Sequence, residues 1–259
     1  MTFPRPGEKP LAALEREAAI ARSQTIADLF LHPVLDRAAP SVRKEIPRLL
    51  DVGCNSIKLF TVMPGFDAHL TQFLEAIRVA GESGLITMIH CEDEALIEDA
   101  TARLVAAGMS SLRYYAESRP VVSEVIATQR AVAFAEATGA PVYIVHLSSA
   151  RALAVCQEAQ SRGLPVYVET RPLYLYLTRE RFEEPDGAKY VGQPPLRDTA
   201  DVKALWAGLD QGVVHVVATD HAPHTREEPV TFRLRSRQHR PLRRRATGGP
   251  TSRPGHLFL

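Results

Sequence analysis

Apolar positions along this chain follow two alternating rhythms. Short β-branched runs are separated by longer stretches in which apolar residues recur at i, i+3 and i+4, the spacing that keeps one face of a helix apolar. The runs predict six strands, at 27–32, 56–60, 85–90, 142–146, 166–170 and 213–219. Helices are predicted over 8–23, 40–52 (across Pro47), 68–84, 92–108, 123–139, 149–163 and 199–212, with Ser123 as an N-cap. Strands alternating with helices of this length make βαβ units and a parallel sheet. A closed barrel of such units needs about eight strands in about 250 residues.

Four of the runs end on a residue able to serve a metal site: SIKLF at Lys58, LITMIH at His90, VYIVH at His146 and VVHVVATDH at Asp220. In a parallel barrel the C-terminal strand ends converge on one mouth. His90, His146 and Asp220 are suitable donors for an ion that lowers the pKa of water to about 7. Lysine joins such a set only if CO₂ converts its amine to an anionic carbamate, which bridges two ions. Each residue also has a plainer reading. A histidine at a strand end is commonly a satisfied core or surface group, a lysine there is commonly solvated, and an aspartate before His221 can cap a turn.

Composition narrows the setting. Apolar residues make up 45% of the 259 and charged residues 24%, as in a soluble globular protein. No apolar run reaches the roughly 18 to 20 residues that span a bilayer, and the N-terminus MTFPRPGEKPLAALERE lacks a signal-like apolar segment. Cys54, Cys91 and Cys156 are far apart and form no CxxC pair, so free thiols in a reducing cytoplasm are expected. Cys91 is a possible soft ligand, but strand alternation points it away from His90. The net charge of +1 conceals a shift in composition. Residues 229–259 hold eight arginines and no Lys, Asp or Glu, which leaves 23 basic and 30 acidic residues in 1–228, a net of −7. Two domains are therefore expected: 1–228 as the barrel body and 229–259 as an Arg-rich tail. A phosphate-binding arm, a disordered extension and an out-of-frame product are the three readings of that tail. The last is preferred, so no nucleic-acid partner is expected.

The phrases IKLF, MIHCEDEALI, SRPVVSEV, PVYIVHLSSARAL, YVETRPLYLYLT, GAKYVGQPPLR and ATDHAPH, in this order, resemble the cyclic amidohydrolases. Within that superfamily the chain is most similar to the dihydropyrimidinase/hydantoinase branch, with dihydroorotase and allantoinase as near relatives. The resemblance covers about 3–228. It implies an α/β fold: an incomplete (β/α)₈ TIM barrel of the metal-dependent amidohydrolase type, lacking the first strands and the small β-sandwich. It also implies a two-zinc centre that hydrolyses a cyclic amide or ureide, a hydantoin- or dihydropyrimidine-type ring, through a metal-bound hydroxide. Lys58 would be the carbamylated bridge, His90 and His146 ligands of the second ion, and Asp220 both a ligand of the first and the proton carrier. The family's His-x-His pair has no counterpart here, so at most one ion is expected to be well liganded and activity to be impaired. Met63 stands where dihydropyrimidinases carry a substrate-contacting tyrosine, and Gln193 where many carry a serine, which leaves the ring specificity open. Arg119 and Arg197 either bind a substrate carboxylate or order loops through backbone carbonyls. His221 and His224 are candidates to support the ligands, and His32 ends a strand without family support as a ligand. The alternatives are an inactive fragment or pseudo-enzyme that associates as a homo-oligomer, and a dihydroorotase- or allantoinase-like hydrolase. No membrane partner is expected.

Overall fold

A computed structural model describes residues 1–221. The expectations for 229–259 and for His224 fall outside the described residues. Five parallel strands lie in sequence order: β1 (Ser56–Phe60), β2 (Ile86–His90), β3 (Val142–Ile144), β4 (Val166–Thr170) and β5 (Val216–Val217). Six longer helices accompany them: α1 (Pro10–Gln24), α2 (Leu70–Glu82), α3 (Glu94–Ala106), α4 (Val121–Thr138), α5 (Ala150–Ser161) and α6 (Thr199–Asp210). An unbroken sequential order with helical crossovers is the arrangement of a barrel wall, and the described residues form an incomplete (β/α) barrel.

Two expectations about the strands need correcting. Residues 27–32 form no strand. The pairing lies just beyond them, where Pro33 and Val34 bridge Thr2 on one side and Lys58 on the other, both in parallel. The Lys58 N–H donates to the Pro33 carbonyl at 2.8 Å, and the Val34 N–H donates to the Thr2 carbonyl at 2.9 Å. Backbone partners thus stand opposite 33–34, while Ile26, Leu29 and Phe30 remain exposed. The last strand is also shorter than 213–219. Only Val216 and Val217 pair, opposite Glu169 and Thr170.

The helices deviate where proline or a side chain intervenes. The segment 40–52 divides into a short α-helix, Pro40–Arg43, and a 3₁₀ segment, Pro47–Val52, because Pro47 cannot donate to the preceding turn. Ser123 does not cap α4, whose N-cap is Pro120. Its hydroxyl instead accepts the Asp93 N–H at 3.0 Å, joining the starts of α3 and α4. Ser149 does cap its helix, accepting from the Ala152 N–H.

Strand alternation divides the sheet chemically. Ile57, Leu59, Ile89, Val142, Ile144, Val166 and Val168 belong to two buried apolar clusters. Around β3 and β4 these side chains pack with Ala131, Ala135, Ala152 and Cys156. Around β1 they pack with Phe73, Ala76 and Ile77. Gly81 is where this layer is tightest, since a Cβ there would lie 2.4 Å from that of Ala140. The alternate positions carry Lys58, Phe60, His90, Tyr143, Tyr167 and Glu169, so the titratable side chains of these strands lie on the other face.

Candidate active site

At the C-terminal end of β2, His90 is buried, with both ring nitrogens engaged. Its Nδ1 is 3.0 Å from His146 Nε2, and its Nε2 is 2.8 Å from Glu92 Oε2. Glu92 is itself held by Arg119, whose Nε donates to Oε1 at 3.0 Å and whose Nη2 donates to Oε2. Burial raises the Glu92 carboxyl, but Arg119 and then His90 outweigh it and hold its pKa near 2. Desolvation lowers the pKa of both imidazoles, most of all His146, where His90, Lys58 and Arg171 act in the same direction. Burial thus favours the neutral ring, the form in which imidazole binds a metal.

His146 reaches this position through its backbone. Alternation from Tyr143 would turn residue 146 toward the helices, yet its φ is 42°, in the left-handed region that non-glycine residues seldom occupy. Glu169 supports the turn, for its Oε1 accepts the His146 N–H at 3.2 Å while its Oε2 accepts the Tyr143 hydroxyl at 2.7 Å. Asp220, at φ 48°, is the other described non-glycine residue with positive φ. Both exceptions fall on residues singled out from the sequence, and such strain clusters at functional sites.

Lys58 is 1% exposed, and its Nζ has no hydrogen-bond partner. The amine lies 4.5 Å from the centre of the Phe60 ring, which in turn contacts His90. Desolvation lowers its pKa to about 7, against smaller opposing effects from Cys91, Asp220 and Glu169. A substantial fraction of neutral amine is thus present near neutral pH.

The other predicted residues are less closely assembled. The Asp220 side chain is 31% exposed, and its carboxylate lies 4.0 Å from Arg171 Nη1. Among the described residues no three His, Cys, Asp or Glu side chains stand together as a metal cluster, so His90, His146 and Asp220 do not meet at one point. The donors nevertheless fit one ion in part: two buried imidazoles face each other, and an unpartnered amine lies close by. Met63 is half-buried in the loop after β1 and Gln193 in the loop before Pro194; the Gln193 side chain bonds the Tyr115 hydroxyl. His32 Nδ1 lies 2.6 Å from Ser56 Oγ. Cys91 is buried on the helix side, where desolvation pushes its thiol up to about 12.

Arg119 and Arg197 order the surrounding loops. Arg197 donates to the Arg119 carbonyl at 2.6 Å and to Ser148 Oγ at 3.0 Å, while Arg119 is committed to Glu92. Sequence reading missed Glu92, Glu169 and Arg171 as parts of the site. The available signal was their position, Glu92 two residues beyond a ligand candidate and Glu169 near the end of a strand.

No protein-family model matches the chain. It is 35% identical over 226 residues to the D-phenylhydantoinase of Escherichia coli O81 (strain ED1a), covering 87% of this chain and 47% of that protein. The dihydropyrimidinase of Brevibacillus agri NCHU1002 superposes with a TM-score of 0.82 at 31% identity, covering 88% of this chain and 50% of that one. The dihydroorotase of Campylobacter jejuni superposes with a TM-score of 0.56 at 13% identity, covering 84% and 56%, a likeness of fold alone. The chain spans about half the length of the curated relatives it matches. With its parallel β/α wall and these similarities, the chain belongs to the cyclic amidohydrolase superfamily.

Proposed function

We propose that this chain carries part of the centre of a metal-dependent hydrolase acting on cyclic amides of the hydantoin or dihydropyrimidine type. The observation that carries this reading is Lys58, fully buried, unpartnered and lowered to a pKa of about 7 beside two buried imidazoles. A lysine left in that state is costly unless it is modified or neutralised, and a neutral amine can form an N–C bond to CO₂ and release one proton to solvent, leaving an anionic carbamate. His90 and His146 would hold one ion, and Lys58, once carbamylated, would be a further ligand. Zinc, when bound, supplies Lewis acidity that lowers the pKa of water to about 7 and polarises the ring carbonyl. Asp220 accepts a proton from the attacking water and returns it to the ring nitrogen as the C–N bond breaks. Met63 and Gln193 would contact the substrate ring. The names of the relatives support the ring class.

On its own residues the chain offers Lys58, His90 and His146 to one ion, but only Lys58 and Asp220 to a second. It is therefore expected to bind about one zinc and to turn over weakly. The exposure of Asp220 favours a second reading, an inactive chain that acts only in association with another copy. Metal analysis of the purified protein, with hydantoin and dihydrouracil hydrolysis assays, tests both readings. Two zinc ions per chain with brisk turnover would remove the impairment, and no bound zinc in a folded protein would remove the metal centre.

A further inference from the structure

Glu124 and Arg197 form a buried unit that the chemistry proposed above does not use. Glu124 lies in the first turn of α4 and Arg197 in the loop ahead of α6, and both are buried. Glu124 takes both polar groups of one residue: Oε1 accepts the Ser148 N–H at 2.7 Å, and the Ser148 hydroxyl donates to Oε2 at 2.9 Å. Arg197 meets the same hydroxyl, its Nε donating to Ser148 Oγ at 3.0 Å, while its Nη1 donates to the Arg119 carbonyl at 2.6 Å. Its Nη2 lies 3.7 Å from Glu124 Oε2. The unit thereby joins the β2–β3, β3–β4 and β4–β5 connections. Its two ends stand behind the paired imidazoles. Ser148 is two residues beyond His146, and Arg119 holds Glu92, whose Oε2 is 2.8 Å from His90 Nε2.

We infer that Glu124 and Arg197 are a pair of positioning residues: they fix the turn after His146 against the Arg119–Glu92 support of His90, and so set the spacing and angle of the two rings for a metal ion. The inference rests on the metal centre proposed above. Both residues act through Ser148 and Arg119 rather than on a ring. The left-handed backbone at His146 is a conformation that surrounding contacts must hold. Glu169 restrains one end of that turn at the His146 N–H, and Glu124 restrains the other at Ser148. A buried ion pair contributes little net stability over an apolar replacement, whereas four directed hydrogen bonds hold three connections in one arrangement. Arginine suits the task because one rigid fork spans Ser148 and Arg119, which a lysine ammonium would not do.

Glu124→Gln/Arg197→Met removes both charges together, so neither is left buried alone. Zinc affinity, read by competition with a chromophoric chelator, should fall about 10- to 100-fold, the usual effect of losing groups that orient a metal ligand. Gly81→Ala strains the helix layer without touching this unit and should keep the wild-type affinity, which separates lost orientation from lost stability. In the metal-free double variant the His146 N–H, which Glu169 rather than Glu124 accepts, should exchange with solvent about tenfold faster as the turn opens locally, while amides of β3 and α5 keep their rates. If the double variant does not fold, Ser148→Ala, which deletes only the hydroxyl joining the two residues, carries the same two expectations. Wild-type zinc affinity in the folded variant, or an equal loss in Gly81→Ala, would overturn the inference. Zinc failing to bind the unmodified protein would overturn the proposed centre instead, and the exchange rate of His146 then decides: faster supports the positioning role, unchanged removes it.

Discussion

The two sides of the sheet's mouth satisfy their polar groups differently. On the β2–β3 side, His90, His146, Glu92 and Arg119 are all less than 9% exposed and joined by hydrogen bonds. On the β5 side, Asp220 is 31% exposed and meets Arg171 only at 4.0 Å. The first region is flanked by β1 and β4 in the sheet. The second follows a two-residue ladder at the end of the described sheet. Burial forces a polar group to find a partner, since an unpaired one costs about 1–3 kcal/mol or more, whereas an exposed carboxylate is served by water. The buried side is consequently preorganised and the open side is not.

Lys58, on β1 next to the buried side, gives the sharpest test of the difference. Its pKa is lowered from 10.5 to about 7 on folding, so between these values the unfolded chain binds more protons and stability rises with pH. The penalty is complete below about pH 7 and absent above about pH 10.5. In the metal-free protein Lys58→Met should remove it, stabilising the fold at low pH by on the order of 5 kcal/mol and flattening the pH dependence of urea unfolding. The same variant should lose zinc. A destabilised Lys58→Met would mean that the amine has a partner.

Arg119→Ala, on the buried side, leaves Glu92 as an unpaired buried charge and should cost about 3–5 kcal/mol in chemical unfolding. Gly81→Ala probes the helix layer behind the same region without touching any polar group. Its new methyl would press on Ala140, and overpacking of this kind costs about 1–3 kcal/mol. Asp220→Asn, on the open side, should change stability by no more than about 0.5 kcal/mol while abolishing whatever hydrolysis the chain supports. If Asp220→Asn cost as much as Arg119→Ala, the two sides would not differ as described.

Much of this was legible in the residue pattern, and the failures have physical causes. Lys58, His90, His146 and Asp220 were identifiable from the apolar runs that carry or precede them, but only His90 ends its strand: Lys58 is central in β1, and His146 and Asp220 lie two and three residues beyond β3 and β5. The strand expected at 27–32 moved to Pro33 and Val34 because pairing depends on where Thr2 and Lys58 present their backbone groups, which apolar spacing does not encode. From the sequence Arg119 is suited to a substrate carboxylate or to backbone carbonyls. Its partner proved to be Glu92, 27 residues earlier in the chain. Alternation alone would also have turned His146 away from the site.

By itself the sequence determined the alternation of strand and helix, the superfamily, and that His90 ends its strand, because these follow from short-range periodicity and motif order. Only the tertiary structure decided how those side chains are used. It buried Lys58 without a partner, bent His146 inward through a left-handed backbone, and placed Glu92 and Arg119 behind His90. Each outcome depends on desolvation and on contacts between distant segments, which exist only once the sheet and its helices enclose the site.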